Sequence, residues 1–256
     1  MAGESSRRIG SPTVNVLMYH SIANGVGPTA IPAAVFAEQM AVLGRSGCAV
    51  VTLGQVVAWM RGEGTIPERA VAITFDDGFA DFIPAAKILA AHGFPATVFL
   101  VTGCMGGHET WRGAFDPPRA IMRWADARSM LADGIEFGGH TITHPSLPAI
   151  DPDQLVHEIV GSRDAMEAEL GARPSAFAAP YGAVNNAVRA EIAKAFDYAV
   201  GTTLDRALQG GSVHDMPRID MHYFRDAARW EAFLAGRGEL RLVARQALRA
   251  VRRWLR

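Results

Sequence analysis

The sequence predicts one large α/β domain in which about seven parallel strands form a closed or nearly closed barrel. The first observation behind this fold class is that short apolar runs, typical of buried strands, alternate with segments of helical spacing. The second is that 256 residues with 49% hydrophobic composition supply enough material for one large core. The third is that no linker, internal repeat or low-complexity tract interrupts the alternation.

The strands and helices can be assigned in order along the chain. Phe36, Met40 and Leu43 recur at helical spacing after the first strand, and Gly93 ends the helix that follows the third strand. The predicted strands are VNVLMY (14–19), CAVVTL (48–53), AVAITF (70–75), PATVFLV (95–101), GIEFGG (134–139), SAFAAP (175–180) and two segments near 197–202 and 216–221. The predicted helices lie at 32–47, 56–60, 81–93, 119–133, 152–170 and 185–196.

The chain divides by composition into an N-terminal extension (1–13), the barrel (14–236) and a basic C-terminal tail (237–256). The tail contains seven Arg and one Glu and carries +6, whereas the remainder of the chain carries −7. Two interpretations remain open: a helix on an anionic membrane surface, or a helix that docks on the barrel with a solvated charged face. Nucleic acid is disfavoured because the body is acidic. The apolar stripe of this predicted helix comprises Leu240, Val243, Ala247, Val251 and Trp254.

The apolar runs are far shorter than the roughly 20 residues that a membrane-spanning helix needs. The N-terminus also lacks the apolar stretch of a signal peptide, so the expected location is cytoplasmic or peripheral at the inner face of the membrane. Cys48 and Cys104 lie 56 positions apart in apolar surroundings, which predicts buried free thiols rather than a disulfide.

Polar residues follow several predicted strands at the point where each strand ends. Asp76 and Asp77 come directly after the third strand, while His20 and His140 follow the first and fifth, and the sequence PYG (180–182) ends the sixth. In α/β barrels the loops at the C-terminal ends of the strands converge on one mouth. The sequence therefore predicts that these residues share one rim.

Two motifs at this rim predict a catalytic metal site. His140 and His144 are four residues apart, and the β-branched residues between them favour a tight turn over a long helix. Two neutral imidazoles and one carboxylate are a common ligand set for Zn²⁺, so one aspartate of the doublet can be the third ligand while its neighbour takes a proton from water. Alone, Asp-Asp-Gly is usually a turn and a lone HxxxH is usually structural, but together they support each other.

These motifs resemble those of the NodB-homology polysaccharide deacetylases, carbohydrate esterases of family four with a distorted (β/α) barrel. The resemblance runs from about Val14 to Met221. It rests on TFDDG (74–78), HTITH (140–144) and FAAPYG (177–182), with further likeness in VLMYHSI (16–22) and PRIDM (217–221). It implies a metal-dependent hydrolase that removes N-acetyl groups from amino sugars of a poly- or oligosaccharide.

The resemblance also implies a role for each matched residue. Asp76 is implied as the general base, and Asp77, His140 and His144 as the metal ligands. The backbone N–H of Tyr181 is implied to hold the developing oxyanion. The expected cofactor is a divalent metal, with Zn²⁺ first and Co²⁺, Ni²⁺ or Mn²⁺ as alternatives, and the expected partner is an N-acetylated glycan.

The chain departs from the family pattern at two positions. Many members carry an arginine in the third motif that orients the base, and here that position is Ala178; Arg218, near another strand end, is the predicted substitute. Many also carry a late Leu-x-His whose histidine is the general acid, and no clear copy is present. His20 is the predicted acid, with His222 behind it and an ordinary structural histidine as the alternative for either. Trp111, in the long loop 102–118, suits either a sugar-stacking wall or a loop anchor.

Two other functions fit parts of the pattern. A non-catalytic carbohydrate-binding relative would keep the barrel and lose a ligand, but Asp76, Asp77, His140 and His144 are all present. A metal-dependent hydrolase of a non-carbohydrate amide would keep all four and differ in its loops.

Overall fold

Nine strands form one curled sheet in the computed structural model of the chain, which describes residues 13–25, 27–111, 117–237 and 242–246. Parallel pairing connects all of them except one, since β8 runs antiparallel to β1. The main path through the sheet is β7-β6-β5-β4-β3-β1-β8, with β2 beside β3 and β9 beside β1. The strands are β1 (Thr13–Tyr19), β2 (Ala49–Val50), β3 (Ala70–Phe75), β4 (Ala96–Leu100), β5 (Ile135–Gly139), β6 (Ala176–Ala178), β7 (Tyr198–Val200), β8 (Ala207–Leu208) and β9 (Ile219–Asp220).

Helices fill most of the connections between these strands. Thr52 begins α2 with a capping box that it shares with Gln55, and Gly93 ends α3 in the left-handed conformation, as predicted. Among the described residues, no helix combines the length and apolar character needed to cross a membrane. The helices are α1 (Ala33–Arg45), α2 (Leu53–Met60), α3 (Phe82–His92), α4 (Trp124–Met130), α5 (Pro152–Leu170), α6 (Asn186–Ala195) and α7 (Ala227–Leu234).

The segment 216–220 connects the two ends of the curled sheet. Met216 forms a parallel bridge to Val200 of β7, and three residues later Ile219 pairs with Leu17 of β1. The predicted strand near 216–221 is therefore divided between two partners. Arg218 lies between the two contacts, and its backbone N–H donates to Thr203 O at 2.9 Å.

Alternate residues of the strands pack into different hydrophobic clusters. On β3, Val71 and Ile73 pack into the cluster that also contains buried side chains of α1 and α3. Ala70 and Ala72 face a second cluster, which contains the buried side chains of α2. This alternation follows from the period-two geometry of a strand and explains why β3 is apolar throughout: both of its faces are buried.

The predicted barrel of mostly parallel strands is confirmed, with local corrections. The second strand shrinks to Ala49–Val50 because the Thr52 cap starts α2 earlier than predicted. The antiparallel strand β8 and the helix α7 were not predicted. Cys48 and Cys104 are free thiols, but both are half-buried rather than buried.

Only residues 237 and 242–246 of the predicted tail helix lie within the described residues. Leu242 is 6% exposed and belongs to the main hydrophobic cluster, and the Arg245 guanidinium lies 4.6 Å from the centre of the Tyr223 ring. Val243, which the predicted apolar stripe includes, is 48% exposed. This short stretch therefore docks on the domain through Leu242, a residue outside the predicted stripe. The remaining stripe residues, Leu240, Ala247, Val251 and Trp254, lie outside the described residues.

Candidate metal centre and active site

The polar residues predicted for one rim come together at the C-terminal ends of the strands. The backbone N–H of Asp76 donates to Tyr19 O at 3.0 Å, and that of His140 donates to Leu100 O at 3.0 Å. Both residues therefore continue the ladders of β3 and β5 by one step. Asp77 departs from the ladder because its φ is 75°, which sends its side chain toward β5.

Asp77, His140 and His144 form a buried cluster in which each offers one ligand atom, all within 4.8 Å of one another. The Oδ1 atom of Asp77 lies 3.3 Å from Nε2 of His140 and 3.3 Å from Nε2 of His144. The close packing of β5 supports this position, since a Cβ on Gly138 would lie 2.7 Å from the Phe99 ring. The three predicted ligands are thus brought together.

The chemistry of the donor atoms fits a divalent cation. Nδ1 of His140 lies 2.7 Å from Ala178 O, and since a carbonyl can only accept, this nitrogen carries the hydrogen. Nε2 of the neutral ring then presents a lone pair toward Asp77 Oδ1. Acceptor atoms that converge in this way require a proton or a cation between them, and a hydrogen bond from the far ring nitrogen is the usual support of a metal-bound histidine. Mixed imidazole and carboxylate ligands suit Zn²⁺ and its transition-metal neighbours.

The ionisation of the cluster follows from burial and from the mutual contacts. Burial alone would raise the pKa of Asp77, but hydrogen bonds with His140 and His144 outweigh it and hold this pKa well below its usual range. Burial would lower the pKa of His140, yet the contact with Asp77 and the charge of Asp76 raise it overall. Burial lowers the pKa of His144, and a charge on His140 lowers it further. Because metal ligands must be deprotonated, a cation competes with protons for these imidazoles and binds more weakly at low pH.

Asp76 has a different partner. The Arg218 guanidinium forms two parallel bonds to its carboxylate, from Nη1 to Oδ1 at 2.7 Å and from Nη2 to Oδ2 at 2.8 Å. The same guanidinium donates to Thr74 Oγ1 at 3.1 Å and to Gly201 O at 2.8 Å, so this buried side chain is fixed on several sides. Burial would raise the pKa of Asp76, but the charge and hydrogen bonds of Arg218 outweigh it and lower the pKa.

His20 also lies beside Asp76. Its Nε2 atom is 3.7 Å from Oδ2 of Asp76, and its side chain is 21% exposed, so one carboxylate faces both a fixed guanidinium and an imidazole open to solvent. His222 lies on the short 3₁₀ turn Met221–Phe224, where its backbone N–H donates to Asp220 at 3.1 Å.

Aromatic rings surround His144. The Trp111 ring stacks on it with 4.4 Å between centroids, and the Tyr181 ring meets it edge-on at 4.7 Å. Trp111 is also 6.1 Å from the Phe79 ring, while the Tyr181 residue is 52% exposed. Trp111 therefore packs against Phe79 and also forms part of the wall of the site beside His144.

Backbone strain is concentrated in the same place. Within the described residues, the non-glycine residues with φ in the left-handed region are Asp77 (75°), Thr141 (69°), His144 (62°) and Tyr181 (60°). All four belong to the predicted motifs. Such conformations persist only where the surroundings enforce them, and they cluster at functional sites.

Sequence reasoning missed two acidic residues that support these loops. Asp81 accepts hydrogen bonds from Ser21 Oγ at 2.5 Å and from the Ile22 backbone N–H at 2.9 Å, directly after His20. Glu158 of α5 accepts three hydrogen bonds from the turn between His140 and His144. Asp81 lies at the end of the TFDDGFAD stretch and could have been noticed, whereas nothing in the local sequence separates Glu158 from other helix glutamates.

A curled, mostly parallel sheet with a carboxylate and two imidazoles at its C-terminal edge is typical of a metal-dependent hydrolase. The sequence model of the polysaccharide deacetylase family matches residues 63–201, more than half of the chain. The chain therefore belongs to this family, whose members hydrolyse the N-acetyl amide bonds of sugars. The resemblance seen in the motifs is thus confirmed. The matched range contains the three candidate metal ligands but not His20 or Arg218.

Individual proteins support the same assignment. The chain is 26% identical to YxkH of Bacillus subtilis over 211 residues, which cover 82% of the chain and 70% of YxkH. It is 33% identical to a chitooligosaccharide deacetylase of a Bradyrhizobium strain over 140 residues, which cover 54% of the chain and 57% of that protein. It thus spans little more than half of the second relative.

Solved structures share the fold. The deacetylase PplD of Streptococcus pyogenes superimposes with a TM-score of 0.70 at 23% identity, covering 82% of the chain and 92% of PplD. IcaB from Ammonifex degensii gives a TM-score of 0.72 at 21% identity, covering 87% of the chain and 98% of IcaB. These matches agree with the distorted barrel predicted from the sequence.

Proposed function

We propose that this chain is a metal-dependent N-deacetylase of amino sugars within a poly- or oligosaccharide. The observation that carries the proposal is the convergence of Asp77, His140 and His144 on one point, beside a second aspartate that Arg218 keeps ionised. The three converging groups provide a place for a cation, and the neighbouring Asp76 carboxylate provides a separate proton acceptor.

Asp77, His140 and His144 would hold the cation. When bound, a divalent cation would supply Lewis-acid chemistry, polarising the amide carbonyl and making a water molecule more acidic. Zn²⁺ is the metal we expect first, because two neutral imidazoles and one carboxylate are a common catalytic zinc set. Co²⁺, Ni²⁺ and Mn²⁺ are the alternatives.

The remaining residues each handle a proton or a developing charge. Asp76 accepts the proton of the attacking water, whose oxygen bonds to the acetamide carbon. The backbone N–H of Tyr181 donates to the oxyanion, a contact of a kind that contributes about 10²–10³ in rate. As the C–N bond breaks, the protonated ring of His20 gives its proton to the leaving nitrogen. The products are acetate and a free amino sugar.

The position of His20 supports its role as the acid. Its ring is 3.7 Å from the same carboxylate that accepts the first proton, and it is partly open to solvent, so it can reach a bound leaving group. Arg218 supports the base by opposing its protonation. Trp111 and Tyr181 form an aromatic wall beside His144 that suits the apolar face of a sugar ring.

The proposed substrates follow the relatives. One is named a chitooligosaccharide deacetylase and another, of Listeria monocytogenes, a peptidoglycan-N-acetylglucosamine deacetylase. We propose that this chain acts on an N-acetylated glycan of the same chemical class, with the acetamide of an N-acetylhexosamine as the reacting group.

The direct test is to load the purified chain with Zn²⁺ or Co²⁺ and measure acetate and free amine together. We expect one acetate per new amine from N-acetylated chitooligosaccharides or peptidoglycan fragments, and a rate lower by about two to four orders of magnitude from an Asp76→Asn control. Acetate from simple amides without any from glycans would favour the non-carbohydrate amide hydrolase. Glycan binding without acetate release would favour the non-catalytic relative.

A further inference from the structure

The turn that carries both histidine ligands adopts a backbone shape that its sequence disfavours. Thr141 has φ of 69°, where β-branched residues are rarely found, and His144 has φ of 62°, which is also uncommon for a residue other than glycine. The ligand geometry depends on this turn, because His140 at its first position and His144 at its last both approach Asp77. Within the turn, Thr141 Oγ1 accepts the His144 N–H at 3.0 Å, and the remaining N–H groups need partners from outside it.

The carboxylate of Glu158 contacts this turn directly. Its Oε2 atom accepts the backbone N–H groups of Ile142 at 2.7 Å and of Thr143 at 2.9 Å. Its Oε1 atom accepts the hydroxyl of Thr143 at 2.5 Å. Glu158 is only 8% exposed and lies on α5, so one side chain from a rigid helix satisfies two successive N–H groups between the ligands.

The opposite side of the turn is held by close backbone contacts. Ile142 O accepts from the Gly103 N–H at 2.9 Å, and Thr141 O accepts from the Thr102 N–H at 3.1 Å. A Cβ on Gly103 would lie 2.7 Å from Ile142 O, so only glycine permits this approach. The turn thus lies between the backbone of residues 102–103 on one side and the carboxylate of Glu158 on the other.

We propose that Glu158 is a positioning residue that sets the affinity of the metal site by holding the turn 140–144 in its strained conformation. The inference rests on the proposed metal site, but it does not depend on which glycan is the substrate. Glu158 makes no contact with Asp77 itself among the hydrogen bonds of the described residues, so its effect passes through the backbone.

The test compares three variants of the full chain. Glu158→Ala removes all three hydrogen bonds. Glu158→Gln keeps an oxygen that can accept both N–H groups, and its amide can donate to the Thr143 hydroxyl. Glu169→Ala is the matched control, because Glu169 lies on the same helix but is exposed and pairs with Arg128 at 2.7 Å.

The measurements are the Zn²⁺ dissociation constant, by competition with a chromophoric chelator, and the unfolding midpoint of each metal-free protein. We expect Glu158→Ala to weaken Zn²⁺ binding by about 10–100-fold, the usual effect of losing an outer support of a metal ligand. Glu158→Gln should recover most of that loss, and Glu169→Ala should bind as the wild type does. The Co²⁺-substituted Glu158→Ala protein should also show an altered visible absorption spectrum.

Equal Zn²⁺ affinity in Glu158→Ala, Glu169→Ala and the wild type would overturn the inference. So would a lowered metal-free unfolding midpoint with unchanged affinity, because Glu158 would then serve only the fold. If Glu158→Ala does not fold, wild-type affinity in a folded Glu158→Asp protein, whose shorter side chain cannot span the same contacts, would overturn it. A wild type that binds Zn²⁺ but releases no acetate would overturn the proposed function alone.

Discussion

Asp76 and Asp77 are neighbours in the chain, but their carboxylates have opposite kinds of partner. Asp76 forms a bidentate pair with a guanidinium that is always charged, which leaves it ionised and fixed. Asp77 faces the Nε2 atoms of two imidazoles, which can exchange a proton for a cation. Both aspartates are 4% exposed, so burial does not distinguish them.

The backbone produces the difference. Asp76 continues the ladder of β3 through its hydrogen bond to Tyr19 O, whereas Asp77 turns away with φ of 75°. The two side chains therefore point to different neighbours at the rim. Two like charges at adjacent positions are tolerated because each has its own compensation, and identical side chains acquire different chemistry from their surroundings.

The largest expected effect is on the Asp77 side. Replacing His140 or His144 with Ala should remove bound metal and deacetylase activity together, because each deletes one of three ligands. Metal content by atomic emission and acetate release check this. Full metal occupancy in both single variants would contradict the ligand assignment, and His214→Ala, at a histidine outside this cluster, is the matched control.

On the Asp76 side the metal should survive the substitution. Asp76→Asn keeps the shape of the side chain but cannot accept a proton, so the rate should fall by about two to four orders of magnitude. Metal content should stay close to that of the wild type. Near-normal turnover in this variant would move the base role elsewhere, and loss of metal would mean that Asp76 is itself a ligand.

Arg218→Met should destabilise the protein by about 3–5 kcal/mol at neutral pH, because it leaves a buried carboxylate without its partner. Because the pKa of Asp76 is lower in the folded protein than its unfolded value of about 3.9, the pairing with Arg218 stabilises the fold at pH values above about 3.9. This stabilisation is lost as the pH falls through the folded pKa. In Arg218→Met, burial instead raises the pKa of Asp76, so protonation of this carboxylate at low pH removes the cost of burying its charge. The stability gap between wild type and variant, measured by denaturant unfolding, should therefore narrow as the pH falls through the raised pKa of Asp76 in the variant, and narrow further as it falls through the lowered pKa in the wild type.

The acid limb of the activity profile tests the same pair. With Arg218 removed, Asp76 should hold its proton to higher pH, so this limb should shift upward in Arg218→Met and less in Arg218→Lys, which keeps a charge. An unshifted limb in both variants would argue that Arg218 does not act on the base.

The smallest effect concerns the basic tail, which we propose contacts an anionic membrane surface through its part beyond the docked segment. A chain truncated after Gln246 keeps buried Leu242 and loses four arginines, each worth about 1 kcal/mol near an anionic surface. It should stay folded and active on soluble substrates but lose sedimentation with anionic liposomes at low salt. Full-length protein that ignores such liposomes would favour docking alone.

The sequence by itself determined the alternating elements and the three candidate metal ligands. Apolar runs placed β3 and β4 within a residue or so, because every residue of these two strands is buried, and β5 was placed equally well although its Glu136 is exposed. His140 and His144 could be proposed from their spacing at a strand end, which also pointed to one aspartate of the doublet, and the family resemblance selected Asp77 as that third ligand.

Tertiary structure decided how distant groups reach the site, both Glu158, which the sequence did not point to, and Arg218, which it did offer as the partner of Asp76. Arg218 reaches Asp76 from 142 positions away because the segment 216–220 divides between β7 and β1 and directs this side chain to the rim. Glu158 holds the His140–His144 turn because α5 packs against it. The edge strand β8 likewise forms where the chain returns to pair antiparallel with Thr13 and Val14 of β1. Such contacts depend on how the sheet curls and connects its ends, and no local pattern of residues records that geometry.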